Sequence, residues 1–317
     1  MSEYITSFPT GFEEIVARHM PKGTEILHVY DGLIHYRGEA NLLCFNNCWH
    51  VLRFFKGENL SFHRMVVEEK LRYPILEGTF RVRFSKSNQF VKVDKQVSLR
   101  AERAVIQSSR LKLDRLNPTT ELWYVIRDEG FGFYGQLLRK RAATEKTLHP
   151  GELRPEFAYL MCCCGNPARD SVVLDPFAGY GAIPMQIMRH FQCKKLYVSD
   201  NDPEKARSLK KALPMEVHCA DALRLAHIAD GSVDLIVTDP PWGYYEGIED
   251  IAAFYEAILK EFGRVLNQNG RAVVLSARKE EFTGVVGRSG AFAIENTIHT
   301  LVNGKKAGVF VITRTEV

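Results

Sequence analysis

The sequence predicts an α/β protein in which a mostly parallel, doubly wound sheet with a C-terminal hairpin follows an α+β region. Three observations lead there. From about residue 150 strand-like and helix-like segments alternate strictly, a grammar that specifies a parallel sheet with helices on both faces. Before that point short strands and helices mix without alternation. The 317 residues are 45% hydrophobic and 25% charged, an ordinary globular balance that excludes a disordered chain.

Taken in order, "FEEIVARHM" has helical period, and "EILHVYDGLIHYRG" reads as a hairpin turning at Asp31-Gly32. "LLCFNNCWHVLRFF" reads as a helix, "TFRVRFS" as a strand and "KQVSLRAERAVIQSSR" as a helix. "ELWYVIRDEGFGFYGQLL" gives two strands joined through Asp128 to Gly130. The alternating half then runs helix "GELRPEFAYLMCCC", strand "SVVLDPF", helix "AIPMQIMRHF", strand "KKLYVSD", helix "PEKARSLKKAL" and strand "EVHCA". Strand "VDLIVTD", helix "IAAFYEAILKEFGRVL" and strand "GRAVVLSA" follow, and "TIHTLVNGKKAGVFVITR" closes the sheet as a hairpin looping at "NGKKAG".

Charge is uneven along the chain. Residues 1–150 hold 23 of the 42 basic and 17 of the 38 acidic residues. Residues 81–115 alone carry ten basic side chains, from Arg81 and Arg83 to Lys112 and Arg115, against Asp94, Glu102 and Asp114. Such an excess either supplies phosphate contacts or is a solvated basic face. No long apolar run and no signal-like N-terminus is present, so a membrane span or secretion is not expected and the compartment expected is the cytoplasm. The seven cysteines, Cys44, Cys48, Cys162, Cys163, Cys164, Cys193 and Cys219, are odd in number and read as reduced. Consecutive side chains on a helix point about 100° apart, so "CCC" is read as core rather than as a metal site. His149, His190, His218, His227 and His299 lack ligand spacing, and no metal is expected.

In a doubly wound sheet ligands bind beyond the carboxyl ends of the strands. After the first strand of the second half comes "DPFAGYGAIP", with Asp175 before a turn containing Gly179 and Gly181. Glycines there admit positive φ and close approach to a ligand. No Lys-Ser/Thr follows, and the three-glycine dinucleotide spacing is absent, so a polyphosphate cradle is not indicated. The next strand ends in "YVSDND", where Asp200 can accept from both ribose hydroxyls or can cap a helix, a place that Asp202 fits better. The third ends in "CADAL", where Asp221 can take an adenine amine beside the Ala222 N–H, or can cap a following helix. The fourth, an apolar run from Val233 to Val237 broken by Asp234, ends in "DPPWG": an acid, a backbone fixed by two prolines, and an indole.

Together "DPFAGYGAIP", "VSDND", "CADA" and "DPPW" resemble the S-adenosylmethionine-dependent methyltransferases that act on exocyclic amines. The resemblance implies a Rossmann-like methyltransferase domain that binds S-adenosylmethionine through Leu153, Asp175, Pro176, Phe177, Ala178, Gly179, Gly181, Asp200, Asn201, Asp221, Ala222 and Asp239. It implies that Asp239 and the Pro240 carbonyl accept the amine of a base, that Pro241 stiffens the bend, and that Trp242 clamps the ring. Tyr or Phe is usual where Trp242 stands.

Earlier pieces, "NPTTELWYVI" and "HPGELRPEFAYL" above all, are similar in order and spacing to the THUMP-containing RNA methyltransferases. That resemblance implies a ferredoxin-like region over 1–62, a THUMP-like RNA-binding domain over 63–140 and the Rossmann-fold domain over 141–317. It gives the basic segment structured RNA to hold, tRNA before other kinds, and implies methylation of guanosine N2. Alternatives stay open: a DNA or rRNA amino-methyltransferase, a protein-glutamine methyltransferase, whose motif usually begins with Asn, or a noncatalytic RNA-binding protein that keeps the fold.

Overall fold

The computed structural model describes residues 1–43, 45–67, 77–140, 148–244 and 247–315. The chain divides into two units: Met1–Phe8 with Met20–Arg141, and Pro9–His19 with Ala142–Val317. In chain order the elements up to residue 140 are β1 (Ser2–Ser7), α1 (Glu13–Arg18), β2 (Glu25–Tyr30), β3 (Leu33–Gly38), β4 (Asn47–Lys56), α2 (Phe62–Val67), β5 (Thr79–Lys86), β6 (Gln89–Phe90), α3 (Lys95–Ser108), β7 (Lys112–Leu113), β8 (Thr120–Ile126) and β9 (Phe131–Lys140).

The strands of the first unit form one sheet in the order β2-β3-β1-β4-β9-β8-β5-β6, with β7 beside β5. Strands from both sides of residue 62 thus share that sheet. Phe80, Tyr124, Tyr134, Val105 and Ala101 form a core from β5, β8, β9 and α3. Asp94 caps α3 by accepting from Gln96 N, and Asp31-Gly32 turns β2 into antiparallel β3 as the sequence predicts.

The helix expected over residues 42–55 is not formed. Asn47–Lys56 is β4, paired antiparallel to β1 and to β9. Trp49, Val51, Phe54 and Phe55 fit helical spacing and a strand alike, but β-branched and aromatic side chains pack well on a pleated surface. Two partner strands satisfying the β4 backbone settle the ambiguity. Cys44 lies outside the described residues.

The second unit continues with α4 (Pro155–Gly165), β10 (Val172–Asp175), α5 (Ala182–His190), β11 (Lys195–Asp200), α6 (Pro203–Ala212), β12 (Val217–Cys219), β13 (Val233–Thr238), α7 (Ile251–Val265), β14 (Leu266–Ser276), α8 (Lys279–Ser289), β15 (Phe292–Val302) and β16 (Lys305–Arg314). Their order is β12-β11-β10-β13-β14-β16-β15. Neighbours run parallel through β14, and the final hairpin is antiparallel. This is the doubly wound, Rossmann-like sheet with a C-terminal hairpin. Its turn is tighter than expected: only Asn303 (φ 50°) and Gly304 (φ 81°) leave the strands, as an Asn-Gly hairpin turn requires.

Other departures have local causes. The fourth helix begins at Pro155, not Gly151, because a residue before proline is disfavoured in the helical region. Residues 149–152 form a closed turn instead, with Glu152 N donating to His149 O and His149 N to Glu152 Oε2. No helix follows Asp221; its Oδ1 accepts from Leu223 N in a tight turn. Helix α8 is unannounced in the sequence, since Gly284 and Gly287 weaken helical propensity, but Phe282, Val285 and Val286 are buried in the core with Tyr255, Phe262 and Phe310.

Asp234, the acid interrupting the fourth apolar run, is explained by its partners. Its Oδ2 accepts from Val172 N at 2.7 Å and its Oδ1 from Asn267 Nδ2, which ties the starts of β10, β13 and β14 at the end of the sheet away from the motifs. Cys162 and Cys163 are buried on α4, and burial raises the Cys164 thiol to about 12. No helix among the described residues is long and apolar enough to cross a membrane. No group of three or more His, Cys, Asp or Glu among them is placed to hold a metal.

Candidate active site

The strand order β12-β11-β10-β13 places Asp221, Asp200, Asp175 and Asp239 at the carboxyl ends of four neighbouring strands, two within β10 and β11 and two just beyond β12 and β13. The glycine turn between β10 and α5 is built by the backbone. Ala178 N donates to Ser199 O (3.0 Å), Gly181 N to Ala178 O (2.7 Å) and Gly179 N to Asp200 Oδ2 (2.8 Å). Asp200 Oδ1 accepts from Asp202 N, and Asp202 itself caps α6. Asp200 therefore braces the turn and the helix start as well as facing the strand end. Ala220 N reaches the Asp200 carbonyl at 3.1 Å, joining the third strand end to the second.

The two glycines have different reasons to be glycine. Gly179 sits at φ 56°, and a Cβ there would meet nothing within 4 Å, so open space faces it. Gly181, at φ 91°, is the N-cap of α5, and a Cβ would lie 2.8 Å from Leu209 Cδ2. One position leaves room for a ligand; the other lets α5 pack on α6.

Asp175 is 1% exposed. Its Oδ1 accepts from Thr238 Oγ1 (2.8 Å) and Phe177 N (3.3 Å), a link across β10 and β13. Its Oδ2 is buried without a hydrogen-bond partner. Burial raises the carboxyl to about 7, against the lowering effect of the two donors, and the nearby Asp200 adds to the rise. A cation or an N–H donor brought to Oδ2 would relieve that desolvation. Pro176, Ala178 and Ala222 are buried, Phe177 is half-buried and packs edge-on to Phe254, and Asn201 is exposed.

At the fourth strand end Trp242 Nε1 donates to Asp239 Oδ1 at 3.1 Å. The indole is thus held by the acid of its own motif. Pro240 is buried, and Pro241 and Trp242 are half-buried. Arg278 Nε donates to Trp242 O at 3.1 Å, and Arg278 N to Ser276 Oγ. Ser276 also meets the Tyr255 hydroxyl at 2.8 Å beneath the motif. Burial lifts the Tyr255 phenol to about 12, and Asp239 contributes to the rise.

Leu153 is buried, and four residues before it the His149 ring stacks on Tyr180 of the glycine turn at 4.0 Å and 11°. The lead-in to α4 therefore lies against the glycine turn. Sequence reasoning missed Thr238, Tyr255, Ser276, Arg278, Tyr180 and His149 as parts of the site. Arg278 had a usable signal, since it closely follows the end of the core strand β14.

In the first unit the basic segment is partly neutralised. Arg81 pairs with Glu121, Arg115 grips Glu102 through two bonds, and Arg110 lies 3.4 Å from Glu77. Arg83 lies over the Phe90 ring. Lys86, Lys92, Lys95, Arg100, Arg103 and Lys112 remain exposed.

With this geometry in hand, residues 196–307 match the family UPF0020, described as RMKL-like, methyltransferase domain. The chain is 30% identical over 205 residues to the tRNA (guanine(6)-N(2))-methyltransferase THUMP3 of Bos taurus, covering 55% of this chain and 40% of that protein. It thus spans well under two thirds of that relative's length. A tRNA (guanine(6)-N2)-methyltransferase of Archaeoglobus fulgidus is 24% identical over 341 residues, covering 90% of this chain and 86% of the relative. The crystal structure of TrmN from Thermus thermophilus superposes with a TM-score of 0.78 at 21% identity, covering 99% of this chain and 100% of that one. Residues 196–307 of the second unit thus match a UPF0020, RMKL-like methyltransferase domain, and the chain shares the fold of TrmN.

Proposed function

We propose that the protein is an S-adenosylmethionine-dependent RNA methyltransferase acting on N2 of a guanosine in tRNA, in the cytoplasm. The observation that carries this reading is the pairing of two features on adjacent strands: the open glycine turn with its buried, partnerless Asp175 oxygen, and the acid-indole bend of Asp239 and Trp242. When bound, S-adenosylmethionine supplies a methyl group activated by a sulfonium.

In this reading Gly179 and Gly181 let the backbone approach the cofactor, Asp175 offers Oδ2 to its cationic end, Asp200 accepts from the ribose, and Asp221 with Ala222 reads the adenine. Leu153, Pro176, Phe177, Ala178 and Asn201 wall the pocket. Asp239 and the Pro240 carbonyl accept the two N–H bonds of the guanine amine, which aims the nitrogen lone pair. Trp242, fixed by its bond to Asp239, stacks on the base. Rate comes from in-line positioning of two reactants, worth large effective molarities, and Asp239 is placed to take the proton the amine sheds. A base in a helix would have to be extruded to reach the bend.

Residues 1–62 as a ferredoxin-like region and 63–140 as a THUMP-like domain complete the reading. The six exposed cations of segment 81–115 supply phosphate contacts that position the RNA without reading its sequence. The names of the two curated relatives support guanine N2 in tRNA as the target. Mass spectrometry of tRNA nucleosides from cells with and without the gene tests it: loss of an N2-methylguanosine is the expected result, and an unchanged nucleoside profile opposes it.

A further inference from the structure

Beside the acid-indole bend lies a cluster of positive charge. Tyr244, two residues beyond Trp242, is 42% exposed, and two cations from different elements lie over its ring. The Arg278 guanidinium carbon, from the turn between β14 and α8, is 4.1 Å from the centroid; Lys305 Nζ, from the start of β16, is 4.2 Å. These distances hold the two charges within about 8 Å of each other, where like charges repel. The ring's negative face offsets part of that repulsion. Arg278 is also anchored, since its Nε donates to Trp242 O, and Glu281 lies 3.7 Å from Nη1.

A third cation joins through the same hairpin. Arg154, the residue before α4, donates from Nη2 to Asn303 Oδ1 at 3.1 Å, and Asn303 is the turn residue two positions before Lys305. Two cations thus meet on one ring of the loop that follows the fourth strand, and a third reaches the hairpin turn next to Lys305. A cation over an exposed aromatic face gains only about 0.5–1 kcal/mol. An anion seated between the two cations adds to that: it attracts both charges, and an Arg fork gives it paired N–H donors.

We infer that Arg278 and Lys305, seated on Tyr244, form a phosphate clamp for the nucleotide whose base is offered to Asp239 and Trp242. The inference rests on the proposed RNA methyl transfer and adds a positioning site to it. Base and phosphate of one nucleotide are then gripped from one loop: Trp242 gives its indole to the base, and its carbonyl fixes the arginine that holds the phosphate. The exposed cations of the first unit would set the RNA's overall approach, and this clamp would set the reacting nucleotide.

The test compares wild type with Arg278→Ala, Lys305→Glu and the charge-keeping pair Arg278→Lys and Lys305→Arg. Methyl transfer to tRNA is followed from labelled cofactor, with tRNA affinity across a salt series and S-adenosylmethionine affinity by calorimetry. Arg278→Ala also removes the bond to Trp242, so Lys305→Glu, whose side chain is outside the bend, is the cleaner variant. Expected is a rise in KM for tRNA of about tenfold or more in Lys305→Glu, a fall in kcat much smaller than that, and cofactor affinity within twofold of wild type. The slope of log affinity against log salt flattens by about 0.7 to 0.9 for each phosphate no longer neutralised, and Lys305→Arg restores it. If wild type methylates tRNA and Lys305→Glu matches it in KM and salt slope, the clamp is wrong and the proposed function stands. A loss of cofactor affinity instead would assign the cations to the cofactor and overturn the clamp. If wild type binds the cofactor but methylates no RNA, the proposed function and the clamp fall together.

Discussion

The Trp242 indole N–H donates to Asp239 Oδ1 across three residues, at 3.1 Å. A phenylalanine or tyrosine ring in the same place offers no such donor from its body, so in this chain the stacking ring and the accepting acid of one motif are coupled. Trp242→Phe keeps an aromatic face and loses the bond. Hydrogen bonds to charged groups contribute roughly 1.5–3 kcal/mol, so kcat should fall about 10- to 100-fold with a smaller change in KM. Steady-state kinetics on tRNA checks this, and an unaltered kcat would show that the bond does not orient the acid during turnover.

Asp175 predicts a pH dependence. Its carboxyl lies at about 7 in the folded protein because it is buried, against about 3.9 in an unfolded chain. Between these values the folded state holds a proton that the unfolded state has released, so this group's contribution falls as pH rises from about 4 to 7 and is absent as a benefit above that. Asp175→Asn has no proton to lose. Its unfolding free energy relative to wild type should therefore climb from pH 5 to pH 8, by an amount on the order of 2–4 kcal/mol. Denaturant melts at both pH values measure it, and a constant difference would mean the carboxyl titrates normally.

In the proposed site the same group contributes to cofactor affinity. A cationic ligand end favours the ionised form, so wild-type affinity for S-adenosylmethionine should weaken below pH 7, approaching tenfold per pH unit, and the dependence should vanish in Asp175→Asn. Calorimetry between pH 5.5 and 8 reads both curves.

Gly179 and Gly181 should separate binding from stability. An alanine at Gly179 faces open space and bears only the left-handed backbone penalty of roughly 1–2 kcal/mol, yet its methyl would project where the cofactor is to lie. We expect at least a tenfold loss of cofactor affinity with a fall in Tm of only a few degrees, about 2–4 °C per kcal/mol for a domain of this size. Gly181→Ala drives a Cβ into Leu209 and adds an overpacking term of roughly 1–3 kcal/mol, so it should lower Tm further. The reverse ranking of the two variants in Tm would contradict this division.

Asp234 provides a control at the opposite end of the sheet. Asp234→Ala leaves the Val172 N–H without the acceptor it has at 2.7 Å, which should cost roughly 1–3 kcal/mol of stability while cofactor affinity stays unchanged.

Most of the second unit was legible because strand ends there carry short, chemically loaded motifs, and because alternating apolar runs fix the sheet before any tertiary pairing is known. The first unit was harder. Residues 47–56 have enough apolar side chains to satisfy helical and strand periods at once, and only pairing with β1 and β9 decides between them. The acids at the strand ends were found by type and spacing. Thr238 was not, since a buried hydroxyl donating to Asp175 looks from sequence like one more β-branched strand residue. Arg278 and Lys305 are 27 residues apart, so no local pattern joins them; the antiparallel pairing of β14 with β16 does. His149 and Tyr180 meet for the same reason, through folding and not through spacing.

The central claim is that the bend of Asp239 and Trp242 presents a guanine amine to the methyl donor. The most direct measurement is transfer of a labelled methyl group by the purified protein to total tRNA, with the labelled nucleoside identified by mass spectrometry. The account predicts label at guanosine N2 with wild type and none with Asp239→Ala, a variant that should still bind tRNA. Label at any other atom, or undiminished labelling by Asp239→Ala, would contradict it.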